Sequence, residues 1–328
     1  ERCLLHGDAE SEAFLSEIVG AAAWPGQRHL NMESIYEYGA RSGFWRLHDL
    51  FTSRAIPVPV FGVATALARA PEQVAAMQQA GWAVASHGLK WIDYKDHTAD
   101  EERAEIREAI QLHEAVVGEK PKGWYTGRCS QATIDLVAEQ GICTYQADSY
   151  ADDLPYYQDT PSGPQLMVPY TLDANDTRFA TPQGFNSGQQ FFDYLKDTFD
   201  GLYEEGCSGK ARMMSIGLHC RLAGRPGRLQ ALRAFVDYAA QKTGVWFATR
   251  LDIATCWQAA YPYQPGFRPS LLDRREFVSL LGSVYEHSPW IAEQAFDGER
   301  SPAMDKPTGL HTALTIAFRS ASTEQRLG

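Results

Sequence analysis

No run of about eighteen apolar residues occurs in the 328-residue chain, so no bilayer-spanning helix is expected. Positive charge is scarce: 30 Lys and Arg against 41 Asp and Glu give a formal charge of -11, which repels phosphate backbones. No basic stripe interleaved with aromatics offsets it, so nucleic acid is excluded as an expected partner. The six cysteines (Cys3, Cys129, Cys143, Cys207, Cys220, Cys256) include no C-x-x-C pair and no regular spacing, which argues against a stapled scaffold. Reduced thiols in a cytoplasmic protein are the expectation. No G-x-G-x-x-G or Walker pattern is present, so a nucleotide cofactor lacks support. Four residues beyond His87 stands Trp91, so the H-x3-H spacing that puts two imidazoles on one metal is missing as well. There is no internal repeat and no low-complexity tract.

What is present is alternation. Apolar positions at helical spacing run from Gly43 to Phe51, and Ile56–Val63 reads as a strand. A helix from Pro71 to Gly81 and a strand from Trp82 to Ser86 follow. The pattern continues with a helix over Ala99–Gly118, a strand at Gly123–Tyr125, a helix over Gln131–Gln140 and strands at Ile142–Tyr145 and Met167–Tyr170. A helix over Gln189–Gly206, a strand at Met213–Leu218, a helix over Arg228–Lys242 and a strand at Val245–Thr249 close the series. Short strands alternating with helices over some 250 residues predict an α/β barrel or open sheet whose strand ends share one pocket.

Three prolines and a glycine between Tyr261 and Pro269 end that pattern, and no strand signal returns. Helices are predicted over 275–285, 290–296 and 309–319, with a loop at 297–308. The expected organisation is a first domain over 1–262, a linker over 263–272 and a short all-helical partial domain over 273–328. The chain opens without Met, and its last residues follow a helical pattern with no stop signal, so it is expected to be a piece of something longer.

Several chemistry-bearing residues fall at strand ends: His87 in Ser86-His87-Gly88, Tyr125 and Arg128 in the Tyr125–Ser130 loop, the turn Asp173–Arg178, and His219-Cys220-Arg221. Two imidazoles suit proton transfer near neutral pH, and several arginines can hold planar carbonyl, carboxylate or ureido groups through paired N–H donors. Together they describe a hydrolytic pocket for a small polar amide. Plainer roles compete: a strand-end His can simply bond a carbonyl, Asn175 and Asp176 can simply form a turn, and Arg228 reads as a solvated charge. His6, His29, His48, His97, His113 and His311 read as surface or core residues.

The ordered set Ser86-His87-Gly88-x-x-Trp91-Ile92-Asp93-Tyr94, Gly123-Trp124-Tyr125-Thr126-Gly127-Arg128, Asp148–Tyr156, Thr171–Asp176, Gly184–Gly188 and Gly217–Arg228 resembles the allantoinase branch of the polysaccharide deacetylase-like (NodB) superfamily. The resemblance covers about residues 1–262 and implies a distorted (β/α) barrel that hydrolyses the hydantoin ring of allantoin to allantoate. Related members hold a metal with an Asp and two His; Trp91 stands in the second histidine's place, as in the allantoinase branch, so no metal and no cofactor are expected. The resemblance implies His87 and His219 as proton-handling residues, and Trp91, Asp93, Tyr125, Arg128, Asn175, Asp176 and Arg221 as substrate contacts. Two departures stand out. The family's first strand and acidic motif would lie before Glu1, and Thr255-Cys256-Trp257 occupies a place where a basic residue and a histidine are expected.

The segment Phe277–Glu293, with Tyr285-Glu286-His287-Ser288-Pro289-Trp290, resembles the opening of the all-helical 2-oxo-4-hydroxy-4-carboxy-5-ureidoimidazoline decarboxylase family. That family makes allantoin, and the resemblance implies a catalytic role for His287 in a segment expected to be truncated and inactive. The expected partner is a small-molecule ureide; self-association into a homo-oligomer is left open. Two other readings remain: a metal-dependent N-deacetylase of amino sugars, which stoichiometric zinc would favour, and a non-catalytic module, which tight ligand binding without turnover would favour.

Overall fold

The computed structural model describes residues 24–327 apart from 182, 286, 287, 299 and 306. The chain divides between Pro262 and Tyr263 into two compact units.

In the first unit, helix α1 (Leu30–Tyr38) runs through a π-helical turn, Gly39–Gly43, into α2 (Phe44–Thr52). Strand β1 (Pro59–Gly62) is followed by α3 (Ala64–Ala68) and α4 (Pro71–Gln79), the latter started by a proline whose missing N–H costs nothing in the first turn. Then come β2 (Ala83–Ser86) and α5 (Ala99–Val117). Thr98 and Glu101 form a reciprocal capping box at the start of α5, and Gly118 ends it in the left-handed region. Next are β3 (Gly123–Trp124), α6 (Thr133–Glu139), β4 (Tyr145–Gln146) and a hairpin of β5 (Tyr156–Thr160) and β6 (Gly163–Met167). The long helices α7 (Gly188–Cys207) and α8 (Pro226–Ala239), then α9 (Arg250–Ala260), complete the unit.

One mixed sheet runs β1-β2-β3-β4-β6-β5, parallel except for the β5–β6 hairpin. Its register sets Gly62, Ser86, Trp124, Gln146 and Met167 side by side in one row. The residues just after that row therefore emerge along one edge. Helices α2, α4, α7 and α8 bury Phe44, Leu47, Met77, Phe191, Leu195 and Phe235 in the largest apolar cluster. Ile106, Ala109 and Ile110 of α5 pack with Trp124, Leu136 and Val137 in a second. Burial of this kind stabilises by about 25 cal/mol per Å² of apolar surface, so the two helix layers hold the sheet edge in place.

Two expected strands are absent as such. Met213–Leu218 and Val245–Thr249 belong to no ladder, and Gly217 makes only an isolated parallel bridge to Asn175. Their composition suits a strand, but a strand exists only through its neighbour. Buried Arg250 supplies a substitute: its Nη1 donates to the Val168 and Pro169 carbonyls (2.7 and 2.9 Å) and its Nη2 to Ser215 Oγ (2.7 Å). The β5–β6 hairpin was not anticipated, although Pro161-Ser162-Gly163 marks its turn.

The second unit is helical among its described residues: α10 (Arg274–Leu281), α11 (Pro289–Asp297), α12 (Pro307–Ser320) and α13 (Thr323–Leu327). Phe277, Leu281, Ile291, Ala295, Met304 and Leu314 form its core. No helix among the described residues is long and apolar enough to cross a membrane.

His113 lies inside α5 with no exposure, and neither ring nitrogen has a hydrogen-bond partner. Burial pushes its pKa down to about 4. The unfolded chain therefore takes up a proton near pH 6.5 that the folded chain refuses until about pH 4, and stability falls as pH drops through that window. Replacing His113 by Leu is expected to remove roughly 3 kcal/mol of that acid sensitivity, by urea denaturation at pH 7 and pH 4. Equal losses in both proteins would show that the imidazole is not the cause.

Candidate active site

The sheet's row of register partners delivers His87 and Tyr125 one residue beyond β2 and β3. The backbone N–H of His87 donates to Gly62 O (2.9 Å) and that of Tyr125 to Ser86 O (3.0 Å), so the ladder continues into the site. The His87 ring sits 4.8 Å from Trp91 and 5.0 Å from Tyr125, centroid to centroid, with Phe61 at 6.3 Å. Tyr170 packs against Tyr125 with tilted rings, centroids 4.6 Å apart. In this aromatic enclosure His87 Nδ1 is buried without a hydrogen-bond partner. Burial first, then the neighbouring His219, push the His87 pKa down to about 3, so its imidazole is neutral at any physiological pH.

His219 is held in a different way. Its Nδ1–H donates to Asp176 Oδ1 at 2.7 Å, and Asp176 Oδ2 accepts the backbone N–H groups of His219 (2.7 Å) and Ala223 (2.9 Å). Asp176 is completely buried, while the His219 side chain keeps 30% of its surface exposed. A carboxylate on Nδ1 fixes the tautomer, leaves Nε2 as the acceptor and stabilises the imidazolium when Nε2 takes a proton.

Two arginines flank the histidines. Arg128 is exposed, with its guanidinium 4.8 Å from the Trp91 ring centroid. Arg221 lies 4.5 Å over Tyr36 of α1, and its Nε is buried without a hydrogen-bond partner. The π-helical turn brings α1 this close: any side chain at Gly43 would collide with the Cys220 carbonyl, and one at Gly39 would meet Arg221 N at 3.0 Å. Arg46 Nη1 then donates to Gly224 O (3.1 Å), closing the loop that carries His219.

Some expected substrate contacts have intramolecular partners. Asp93 is an exposed turn former whose carboxylate accepts the Lys95 N–H (3.0 Å). Asn175 is buried: Oδ1 accepts the Thr177 N–H (3.0 Å) and Nδ2 donates to Thr171 O (3.1 Å). Asp176 is committed to His219. Both turn residues therefore organise the site from beneath, because their polar atoms are already used. His287 lies outside the described residues. Residues not singled out from sequence include Tyr150, whose hydroxyl meets that of Tyr125 at 2.8 Å, and Asp148, Tyr170 and Arg250. Asp148 and Tyr150 were legible only as parts of the segment Asp148–Tyr156, since nothing local tells which residue a turn will fold against.

Histidines at the strand-end edge of an α/β sheet place proton-handling groups where such folds carry their chemistry. Residues 32–143 match the polysaccharide deacetylase family. A Schizosaccharomyces pombe protein named as a polysaccharide deacetylase is 39% identical over 282 residues, covering 80% of this chain and 88% of its own length. The chain belongs to the polysaccharide deacetylase family and is a hydrolase of that type. Among solved structures, a polysaccharide deacetylase from Pseudomonas aeruginosa PAO1 is 53% identical with a TM-score of 0.78. Puue allantoinase is 52% identical with a TM-score of 0.79; each comparison covers 80% of this chain and 88% of the other. A 2-oxo-4-hydroxy-4-carboxy-5-ureidoimidazoline decarboxylase of Haloferax volcanii is 39% identical over 56 residues, 17% of this chain and 32% of that protein.

The donor set does not fit the metal of the wider family. Trp91 replaces the second imidazole, Asp176 spends both oxygens on N–H groups, and no three His, Cys, Asp or Glu side chains converge among the described residues.

In Asp176→Asn the amide oxygen can keep the two backbone N–H groups only by turning its own N–H toward His219 Nδ1, which forces the tautomer with the proton on Nε2, and all three bonds lose the carboxylate charge. Folding stability is expected to fall by roughly 2 kcal/mol or more. An unchanged urea midpoint would remove Asp176 from the centre of this network.

Proposed function

We propose that the first unit hydrolyses the cyclic amide of allantoin, giving allantoate. The observation that carries this reading is the pairing of an Asp-held His219 with a second histidine kept neutral against Trp91. The 52% identity to Puue allantoinase supports the substrate assignment.

In the proposed reaction, His219 Nε2 takes a proton from water as the water oxygen bonds to the ring carbonyl carbon. Asp176 stabilises the imidazolium that forms. The oxyanion is met by hydrogen-bond donors: the guanidinium of Arg128 and the N–H of His87, which can donate without becoming charged. Collapse breaks the carbon–nitrogen bond, and His219 returns its proton to the departing nitrogen. Trp91 closes one side against water, and Arg221 binds the ureido group through its guanidinium. The second unit is proposed as the opening segment of a ureidoimidazoline decarboxylase domain, supported by the 56-residue match.

The test is allantoin consumption and allantoate formation followed by NMR after exhaustive chelation. The wild-type chain is expected to turn over, and His219→Ala to be roughly a hundredfold slower or worse. Turnover that appears only when zinc is returned would replace this reading with metal-dependent deacetylase chemistry. Wild-type rates in His219→Ala would remove His219 as the base.

A further inference from the structure

We infer that Asp148 is a positioning residue for Arg128, acting through the backbone of the loop between them; its kinetic role rests on the ring-opening reading above. Asp148 Oδ2 accepts the Thr126 N–H at 2.8 Å, and Oδ1 accepts the Gly127 N–H at 2.7 Å and the Thr126 N–H at 3.0 Å. The Cys129 thiol is directed at the same carboxylate. Among the described residues no Lys, Arg or His pairs with Asp148. Burial raises its pKa, and the N–H groups of Gly127 and Thr126 oppose that rise. Successive N–H groups around one anion form a concave nest, and here the anion is supplied by the chain itself.

The nest dictates what Arg128 can reach. Gly127 has φ +79°, in the left-handed region, and an added Cβ would lie 2.8 Å from the Trp91 ring. The loop therefore lies flat on Trp91 and reverses there, so Arg128 leaves it directly above the indole. The Arg128 carbonyl accepts the Tyr94 N–H (3.1 Å), which ties the loop to the segment carrying Trp91. The guanidinium makes no hydrogen bond or ion pair among the described residues. Its place is set by the backbone beneath it and by the ring below, and its donors stay available to an incoming carbonyl.

Asp148→Asn keeps one acceptor and turns an N–H against the nest, so the loop loosens while the fold keeps its core. The experiment is a double-mutant cycle of Asp148→Asn and Arg128→Ala with two readouts. One is kcat and KM for ring opening; the other is the Trp91 indole N–H resonance, assigned with Trp91→Phe. Asp148→Asn is expected to lower kcat about tenfold, with a smaller rise in KM. In the Arg128→Ala background it is expected to change kcat/KM by less than about twofold. The indole resonance should move in both single variants and no further in the double. Losses that multiply in the double variant, or an indole resonance untouched by Asp148→Asn, would overturn the inference. If the wild-type chain opens no ring, the functional reading fails by itself and the resonance alone decides for or against Asp148 as the support of Arg128. Should Asp148→Asn not fold, Gly127→Ala strikes the same turn and is read by the same criteria.

Discussion

A carboxylate taken wholly out of water must be met by N–H groups, and Asp176 is met by three: two from the backbone of the His219–Ala223 loop and one from the His219 ring. Much else follows from that requirement. Asp176 can sit there only if the turn carrying it lies against Met213–Leu218, and the Asn175–Gly217 bridge provides that contact. The loop after His219 must curl tightly enough to bring the Ala223 N–H back to the same oxygen, which presses Cys220 and Gly224 against Gly43. The π-helical turn at Gly39–Gly43 is therefore part of the same construction as the His219 tautomer. An extra residue in a helical turn is a costly arrangement that tends to persist where a functional site needs it.

The two halves of the site are supported by related means. Asp176 and Asp148 each hold a loop through backbone N–H groups, and each loop carries a residue with a role in the proposed ring opening. In both cases the charge lies beneath the reacting surface and aims something else at it. This explains why glycines are needed here: Gly127, with positive φ, reverses the loop that Asp148 holds, and Gly43, helical in conformation, leaves room for the Cys220 carbonyl of the loop that Asp176 holds.

Much of the scaffold could be read from periodicity and punctuation. The helix over 99–118 has its capping box in Thr98 and Glu101 and its stop in Gly118, so its limits are written locally. His87 and Tyr125 were placed at strand ends because a short apolar run followed by a loop needs no partner to be recognised. What could not be read was pairing. Met213–Leu218 has strand composition, yet Arg250 holds it where no ladder does, and that guanidinium comes from a residue 35 positions away. Asp176 read as a turn residue or, through the resemblance, as a substrate contact, because the three donors that claim it stand more than forty residues further on. Asp93 was read as a substrate contact through resemblance alone; locally its carboxylate accepts the Lys95 N–H, a turn bond that short spacing makes legible.

The replacement of a second imidazole by Trp91 has consequences beyond removing a metal donor. An indole beside His87 takes water away from the ring without offering any charge to balance a proton, so His87 is driven neutral. A neutral imidazole is a weak acid and, with Nδ1 buried, an inaccessible base on that side; what it retains is a polar N–H. His219 has different surroundings: a carboxylate backs its Nδ1, and solvent reaches part of its side chain. In the proposed mechanism these surroundings assign two residues of the same type to different tasks, His219 as base and His87 as uncharged donor. In the proposed ring opening, that division is what lets a single histidine take and return the proton while the other steadies the oxyanion.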